Sequence, residues 1–363
     1  VSKKISFVIP FIHEYPNIYL TINNIQSEMW GSKYEWEIIA AENGTQDVNT
    51  PKAFTNERAL YRVPMGLELI KYVFEPRQCG PLARNAGARI ADGDFVMFMD
   101  AHTTLGKDTV EVMADYLEEH PECGCVMGMT GKSHYSKPHM GAFYELFNSE
   151  KEKQRRSGPN LTTHMHGHYM GLRSVSMEKR NAPFQVVMST QAYVMYRLAD
   201  FWELGGYFDG CRFYPHPEGY MPLKVWMSGM ECVTHPDSWH LHGQPGRRFF
   251  QTGPERRKKV REYGGYDPTE HGWMNVLKIA YILGGDKWID ICQDALMYKH
   301  LTIRPEKMEE MYKLALKVAG PERKKLKPKF KYKLDDILIR ARVEGIAGME
   351  KWDARIGDDP LVG

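Results

Sequence analysis

The chain alternates short apolar runs with segments of helical period over its first 130 residues. Ile5-Ser6-Phe7-Val8-Ile9-Pro10 is near-continuously apolar, the pattern of a strand buried on both faces. Pro16 to Glu28 spaces its apolar residues as one face of a helix. Glu35 to Ala41 predicts a second strand, stopped by the turn pair Asn43-Gly44. Leu67 to Phe74 predicts a third strand, Ala83 to Ala91 a helix, Asp94 to Met99 a strand, Thr109 to Glu119 a helix and Cys125 to Met129 a strand. Such alternation predicts an α/β fold: a mostly parallel sheet with helices on both faces. Ligands of these sheets sit beyond the carboxyl ends of the strands.

Residues 131–182 break the pattern, rich in His, Gly, Ser and Lys, and are too long for an ordinary connection, so an active-site loop or lid is expected. Patterning returns over 184–242. From about 255 the chain is mainly helical, with segments predicted at Pro254 to Glu262, Trp273 to Leu283, Trp288 to Tyr298 and Pro305 to Val318. Two units follow as the expectation: an α/β domain over residues 1–245 and a basic, mainly helical region over 246–363.

Composition narrows the class. A chain of 363 residues with 42% hydrophobic, 26% charged and 12% aromatic positions can bury a large core and is not a disordered protein. No run approaches the roughly 18 apolar residues of a membrane span. The first apolar run is too short for an export signal. The six cysteines make no CxxC pair and no disulfide framework, so reduced structural thiols and a cytoplasmic setting are expected. The net charge of +2 is uneven: residues 246–363 carry +7 and residues 1–245 carry −5. Such an imbalance suits an anionic partner, and a lysine-rich stretch at Lys324, Lys325, Lys327, Lys329, Lys331 and Lys333 is its densest part.

The chemistry concentrates in two blocks. In the first, Ala83-Arg84-Asn85-Ala86-Gly87 is followed by the apolar strand and then Asp100-Ala101-His102. Residues i and i+2 of an extended chain point the same way, so Asp100 and His102 can grip one cation at a strand's carboxyl end. In the second, Leu204-Gly205-Gly206-Tyr207-Phe208-Asp209 precedes Glu218, Trp226 and Pro236-Asp237-Ser238-Trp239-His240-Leu241-His242.

In order and spacing these blocks resemble the GT-A nucleotide-sugar glycosyltransferases of family 2. The Asp-x-His form resembles the polypeptide N-acetylgalactosaminyltransferases in particular. The likeness covers roughly residues 5–245, with Val8-Ile9-Pro10 as the family's first strand and Glu37 to Thr45 as its second strand and turn. It implies a GT-A fold and transfer of a sugar from a UDP-sugar with Mn²⁺ or Mg²⁺. Asp100, His102 and His242 become the metal ligands, with His240 the substitute for His242. Pro10, Glu14, Glu42, Asn43, Arg84, Asn85, Ala101 and Arg247 become donor contacts, Arg84, Arg247 or Arg248 adding positive charge to the diphosphate. Glu218 becomes the catalytic carboxylate, a general base if the enzyme inverts configuration. Two departures stand out: the acidic pair after the second strand is Glu42-Asn43 here, and Glu218 is followed by Gly219.

Other readings stay open at this level. His164, His166 and His168 form an acceptor-side loop or a metal site. Tyr220, Trp226 and Trp239 shape a sugar subsite or pack a core. The acceptor is a hydroxymethylated pyrimidine in DNA, reached through the basic C-terminal region, or else a polypeptide Ser/Thr or a surface glycan. A binding module without turnover is the non-enzymatic alternative.

Overall fold

The computed structural model describes residues 2–12, 14, 17–44, 70–132, 138–139, 181–213, 220–243, 268–299, 303–344 and 346. Among the described residues ten strands form one sheet: β1 (Lys4–Phe11), β2 (Glu35–Asn43), β3 (Ile70–Glu75), β4 (Phe95–Met99), β5 (Thr103–Leu105), β6 (Cys123–Lys132), β7 (Pro138–His139), β8 (Phe184–Gln185), β9 (Tyr193–Arg197) and β10 (Glu231–His242). Their order is β3-β2-β1-β4-β9-β6-β10-β5, with β7 beside β6 and β8 beside β10. The pairings make β1, β2, β3, β4, β6 and β10 run one way, with β9 threaded antiparallel between β4 and β6. The mostly parallel sheet expected from the sequence is therefore present, its antiparallel members coming late in the chain or as short edge pieces.

Alternate residues of the central strands enter two separate cores, which is why these strands read as unbroken apolar runs. Ile5, Phe7 and Ile9 of β1, with Met97 of β4 and Met195 of β9, meet helices α1 (Asn17–Glu28) and α3 (Thr109–Glu119) through Ile18, Ile22, Val110 and Met113. Val8, Ile39, Phe98 and Val194 face the other way, toward α2 (Gly80–Ile90), α4 (Leu198–Glu203) and α5 (Tyr220–Ser228).

The C-terminal helices α6 (Pro268–Gly284), α7 (Asp286–Lys299), α8 (Pro305–Leu326) and α9 (Leu334–Val343) join this second core through Leu277, Trp288, Met311 and Leu338. Their apolar stripes are thus buried against the layer that covers the sheet. Helix α8 runs past the expected end at Val318 and through Pro321. Tertiary contacts carry it across the proline: Arg323 donates to the carbonyls of Tyr281 and Ile282 at 2.9 Å, and Leu326 is buried. The segment expected to be helical at 254–262 lies outside the described residues, as do 131–182 except for 131, 132, 138, 139, 181 and 182. All six cysteines are buried thiols. Among the described residues no helix is long and apolar enough to cross a membrane.

Candidate metal centre

The strand order reverses direction around β1, with β2 and β3 to one side and β4 to the other. That places a crevice beyond the carboxyl ends of β1 and β4, where open α/β sheets bind ligands. Asp100 follows β4 directly. Its N–H donates to the Ala192 carbonyl at 3.2 Å, and the chain then turns through Ala101 and His102 into β5. Thr21 of α1 fastens this turn, its hydroxyl donating to the carbonyls of Ala101 and Thr103 at 2.9 and 3.0 Å.

Strand β5 pairs antiparallel with the end of β10, setting Thr103 opposite His242, and the Gly243 N–H donates to the His102 carbonyl at 2.9 Å. The result brings three side chains together. His102 Nε2 stands 3.1 Å from His242 Nε2, which is 3.2 Å from Asp100 Oδ2. Their ligand atoms all lie within 4.8 Å of one another. Ligands about 2.1 Å from one octahedral ion are roughly 3 Å apart, and tetrahedral zinc ligands slightly more. The spacing and the carboxylate–imidazole donor set therefore fit a divalent cation such as Mn²⁺.

Charges behind the ligands are paired. Arg84 of α2 is only 3% exposed and donates from Nη2 to Asp100 Oδ1 at 2.8 Å and to the Gln191 carbonyl at 3.1 Å. Burial alone would raise the Asp100 pKa, but the hydrogen bond to His242 and the Arg84 charge outweigh it, and the carboxyl is held well below the usual carboxylate range. On the other side Glu14 Oε1 lies 3.5 Å from His102 Nδ1.

The Pro236-Asp237-Ser238 segment is a bulge. Opposite β6, His235 pairs with Gly128 and Trp239 with Met129, so three residues are extra in β10. Ser238 tucks inward, its Oγ 2.9 Å from the Tyr193 hydroxyl. A Cβ on Gly128 would meet Tyr193 at 2.4 Å and the Ser238 carbonyl at 2.6 Å, so only glycine leaves room for the bulge. Beyond it Ser238, His240 and His242 alternate with Trp239 and Leu241.

That alternation settles two readings left open by the sequence. His240 is fully buried against Tyr193, ring centroids 4.2 Å apart, and is outside the ligand group. Burial, with help from the His242 charge, pushes its pKa down to about 3. Trp239 packs over Gly106 on the opposite face from His242 and is 43% exposed. Tyr220 and Trp226 are core residues: the Trp226 indole donates to the Val186 carbonyl at 3.0 Å, and the Tyr220 hydroxyl donates to Glu322 at 3.4 Å.

Several expected donor contacts have other employment. Arg84 is no helix-surface ion pair, because its guanidinium is buried, with Nη2 on Asp100 Oδ1. Asn85 is a clamp: its Oδ1 accepts from the Tyr207 N–H at 2.9 Å while its Nδ2 donates to the Tyr207 carbonyl at 2.7 Å. This joins the Ala83-Arg84-Asn85 helix to the Gly205-Gly206-Tyr207 turn and explains why the two motifs occur together. Glu14 faces His102 and is buried, as is Ala101. Pro10 sits in β1 past Val8, the last position paired with β4, so its missing N–H costs no rung there. Glu42 is fully buried at the end of β2 and accepts from the Tyr72 hydroxyl at 2.6 Å, with Asn43 buried beside it. Glu218, Arg247, Arg248, His164, His166 and His168 lie outside the described residues. Motif reading missed Thr21, Gln191 and Ala192, which act through a hydroxyl or backbone carbonyls and leave no spacing signal.

The sequence model of the family described as Glycosyl transferase family 2 matches residues 6–180. No curated protein sequence matches the chain. Among solved structures it is similar to that of GalNAc-T7 with UDP, GalNAc and Mn²⁺, at TM-score 0.61 and 15% identity, over 88% of this chain and 55% of the other. The chain thus spans about half the length of that protein. A mannosyltransferase, PcManGT from Pyrobaculum calidifontis, in complex with GDP-Man and Mn²⁺ matches at TM-score 0.46 and 17% identity, over 95% of this chain and 87% of the other. Sheet order, crevice and structural likeness together give the chain a GT-A fold, and its first half, residues 6–180, is similar to the family 2 glycosyltransferases.

Proposed function

We propose that the chain transfers a sugar from a UDP-sugar to an acceptor hydroxyl, with Mn²⁺ or Mg²⁺ held by Asp100, His102 and His242. The observation that carries this is the convergence of the three ligand atoms within 4.8 Å at the switch point of the sheet. The similar GalNAc-T7 structure, which holds UDP, GalNAc and Mn²⁺, supports the donor class. A cation at this place supplies Lewis-acid stabilisation to a departing diphosphate. The protein's own part is to hold Asp100 ionised through Arg84 and to keep both imidazoles aimed at one point. Glu218 is the candidate to deprotonate or orient the acceptor.

For the acceptor, the charge asymmetry favours a hydroxymethylated pyrimidine in DNA, whose phosphates would meet basic residues of 246–363. The target base would be flipped from the helix to reach the donor. The lysine-rich stretch is badly placed for this task. It is anchored where α5 hands over to β10: the Lys331 and Tyr332 N–H groups donate to the Met227 carbonyl, and Lys329 binds Glu203. That is the amino-terminal end of β10, and His242 stands at the other.

The test is nucleotide release from a panel of UDP-sugars with Mn²⁺, repeated with DNA carrying hydroxymethylated bases, with Ser/Thr peptides and with glycans. Metal-dependent release, stimulated most by the DNA, supports the whole reading. Stimulation by peptide or glycan instead replaces the acceptor. Donor binding without release under any condition leaves a binding module.

A further inference from the structure

The three metal ligands differ in what stands behind them. His102 turns Nε2 toward His242, while its Nδ1 lies 3.5 Å from Glu14 Oε1. A neutral imidazole carries one N–H and one lone pair, and its neighbours decide which nitrogen has which. A carboxylate beside Nδ1 stabilises the proton there and leaves the Nε2 lone pair for a cation.

Glu14 is built for a fixed position. It is only 8% exposed, its Oε2 accepts from Asn17 Nδ2 at 3.3 Å, and its carbonyl accepts from the Ile18 N–H at 3.0 Å as α1 begins. A residue just ahead of α1 therefore reaches across to the candidate ligand that follows β4. Arg84 does the converse for Asp100, spending positive charge on Oδ1 and leaving Oδ2 toward His242. A buried carboxylate near the site also restores negative charge that Arg84 removes, which favours a cation.

We propose that Glu14 is a positioning residue for the metal centre: it fixes the Nδ1–H tautomer and the ring orientation of His102. This replaces the donor-contact role that the sequence suggests for it, and it rests on the metal-dependent reading above. Carboxylates behind ligating histidines typically carry 10–100-fold of metal affinity.

The experiment uses the full chain. Mn²⁺ binding is followed by electron paramagnetic resonance for wild type, Glu14→Gln, Glu14→Ala and His242→Ala, and the His102 tautomer of the metal-free protein is read by ¹⁵N nuclear magnetic resonance. Wild type is expected to show Nδ1–H at His102. Glu14→Ala should weaken Mn²⁺ by about 10–100-fold with a mixed tautomer, and Glu14→Gln, which keeps shape and an acceptor oxygen, should fall between. Should Glu14→Ala melt early, Glu14→Gln carries the comparison alone, because it is isosteric. Mn²⁺ affinity within twofold of wild type in the folded variants, with an unchanged His102 tautomer, overturns the proposal. Wild type that binds no Mn²⁺ overturns the metal reading instead, and the tautomer comparison then judges Glu14 separately.

Discussion

The imidazoles of His102 and His242 stand with Nε2 atoms 3.1 Å apart, although 140 residues separate them in the chain. The contact is set by backbone. Strand β5 is only three residues long, and its antiparallel register against β10, closed by the Gly243–His102 hydrogen bond, leaves no freedom to slide. Two imidazole nitrogens facing each other with a carboxylate oxygen 3.2 Å away make a group that a cation completes.

Mn²⁺ binding should therefore vanish in His242→Ala while the fold persists, because His242 is part-exposed at a strand end. Isothermal titration with Mn²⁺, beside donor hydrolysis after exhaustive chelation, checks this. Wild-type turnover by the chelated variant would remove the metal assignment.

Asp100 needs a different variant. Replacing it by alanine strands the Arg84 guanidinium, which is 3% exposed against 26% for the Asp100 side chain. Breaking a buried pair from one side costs about 3–5 kcal/mol. Asp100→Ala should thus lose stability as well as metal, and Arg84→Met should lose less, since the charge it abandons is better solvated. The double variant should recover most of the loss. Urea titrations in the presence of chelator measure all three; equal, small losses would show that the pair carries no such asymmetry.

Gly206 has φ of +61°, and a Cβ there would lie 2.9 Å from Asn85 Oδ1. Gly206→Ala should combine left-handed backbone strain of about 1–2 kcal/mol with displacement of the clamp that accepts from the Tyr207 N–H. Gly31, with φ of +78° and nothing within 4 Å of its Cβ position, supplies the control. Gly31→Ala should show the strain alone. Equal losses of stability in the two variants would mean that the Asn85 clamp contributes nothing.

What the sequence made legible follows from these geometries. The central strands were readable because both of their faces are buried, so β1, β2 and β4 appear as apolar runs that no amphipathic pattern interrupts. That Asp100 and His102 come together at a strand's end was readable from their i, i+2 spacing, and that His242 joins them from a motif. The support was not readable. Helix α2 buries every residue from Pro81 to Ala88, so its periodicity gives no sign that Arg84 turns to Asp100 or Asn85 to Tyr207. Nor does spacing distinguish a glutamate that binds donor from one that faces a histidine, because the Glu14–His102 approach exists only after β1, α1 and β4 are assembled.

The lysine-rich stretch gives the last test. Lys324, Lys325 and Lys327 are exposed at the end of α8 and on the turn that follows it, whereas Lys329 is engaged with Glu203. The turn is fastened at Met227, at the amino-terminal end of β10. From there to His242 the sheet runs the length of β6, roughly 30 Å at about 3.3 Å per residue. That distance exceeds the Debye length of roughly 8 Å at physiological salt, so these charges hardly reach a donor at the metal centre. Substituting Lys324, Lys325 and Lys327 with glutamine should therefore leave donor hydrolysis unchanged. Sugar transfer to an acceptor should stay within about twofold at 0.15 M salt, even if non-specific affinity for duplex DNA falls with a shallower salt dependence. Loss of transfer in step with loss of DNA affinity would put the acceptor on the lysines and overturn the placement argued from the sheet.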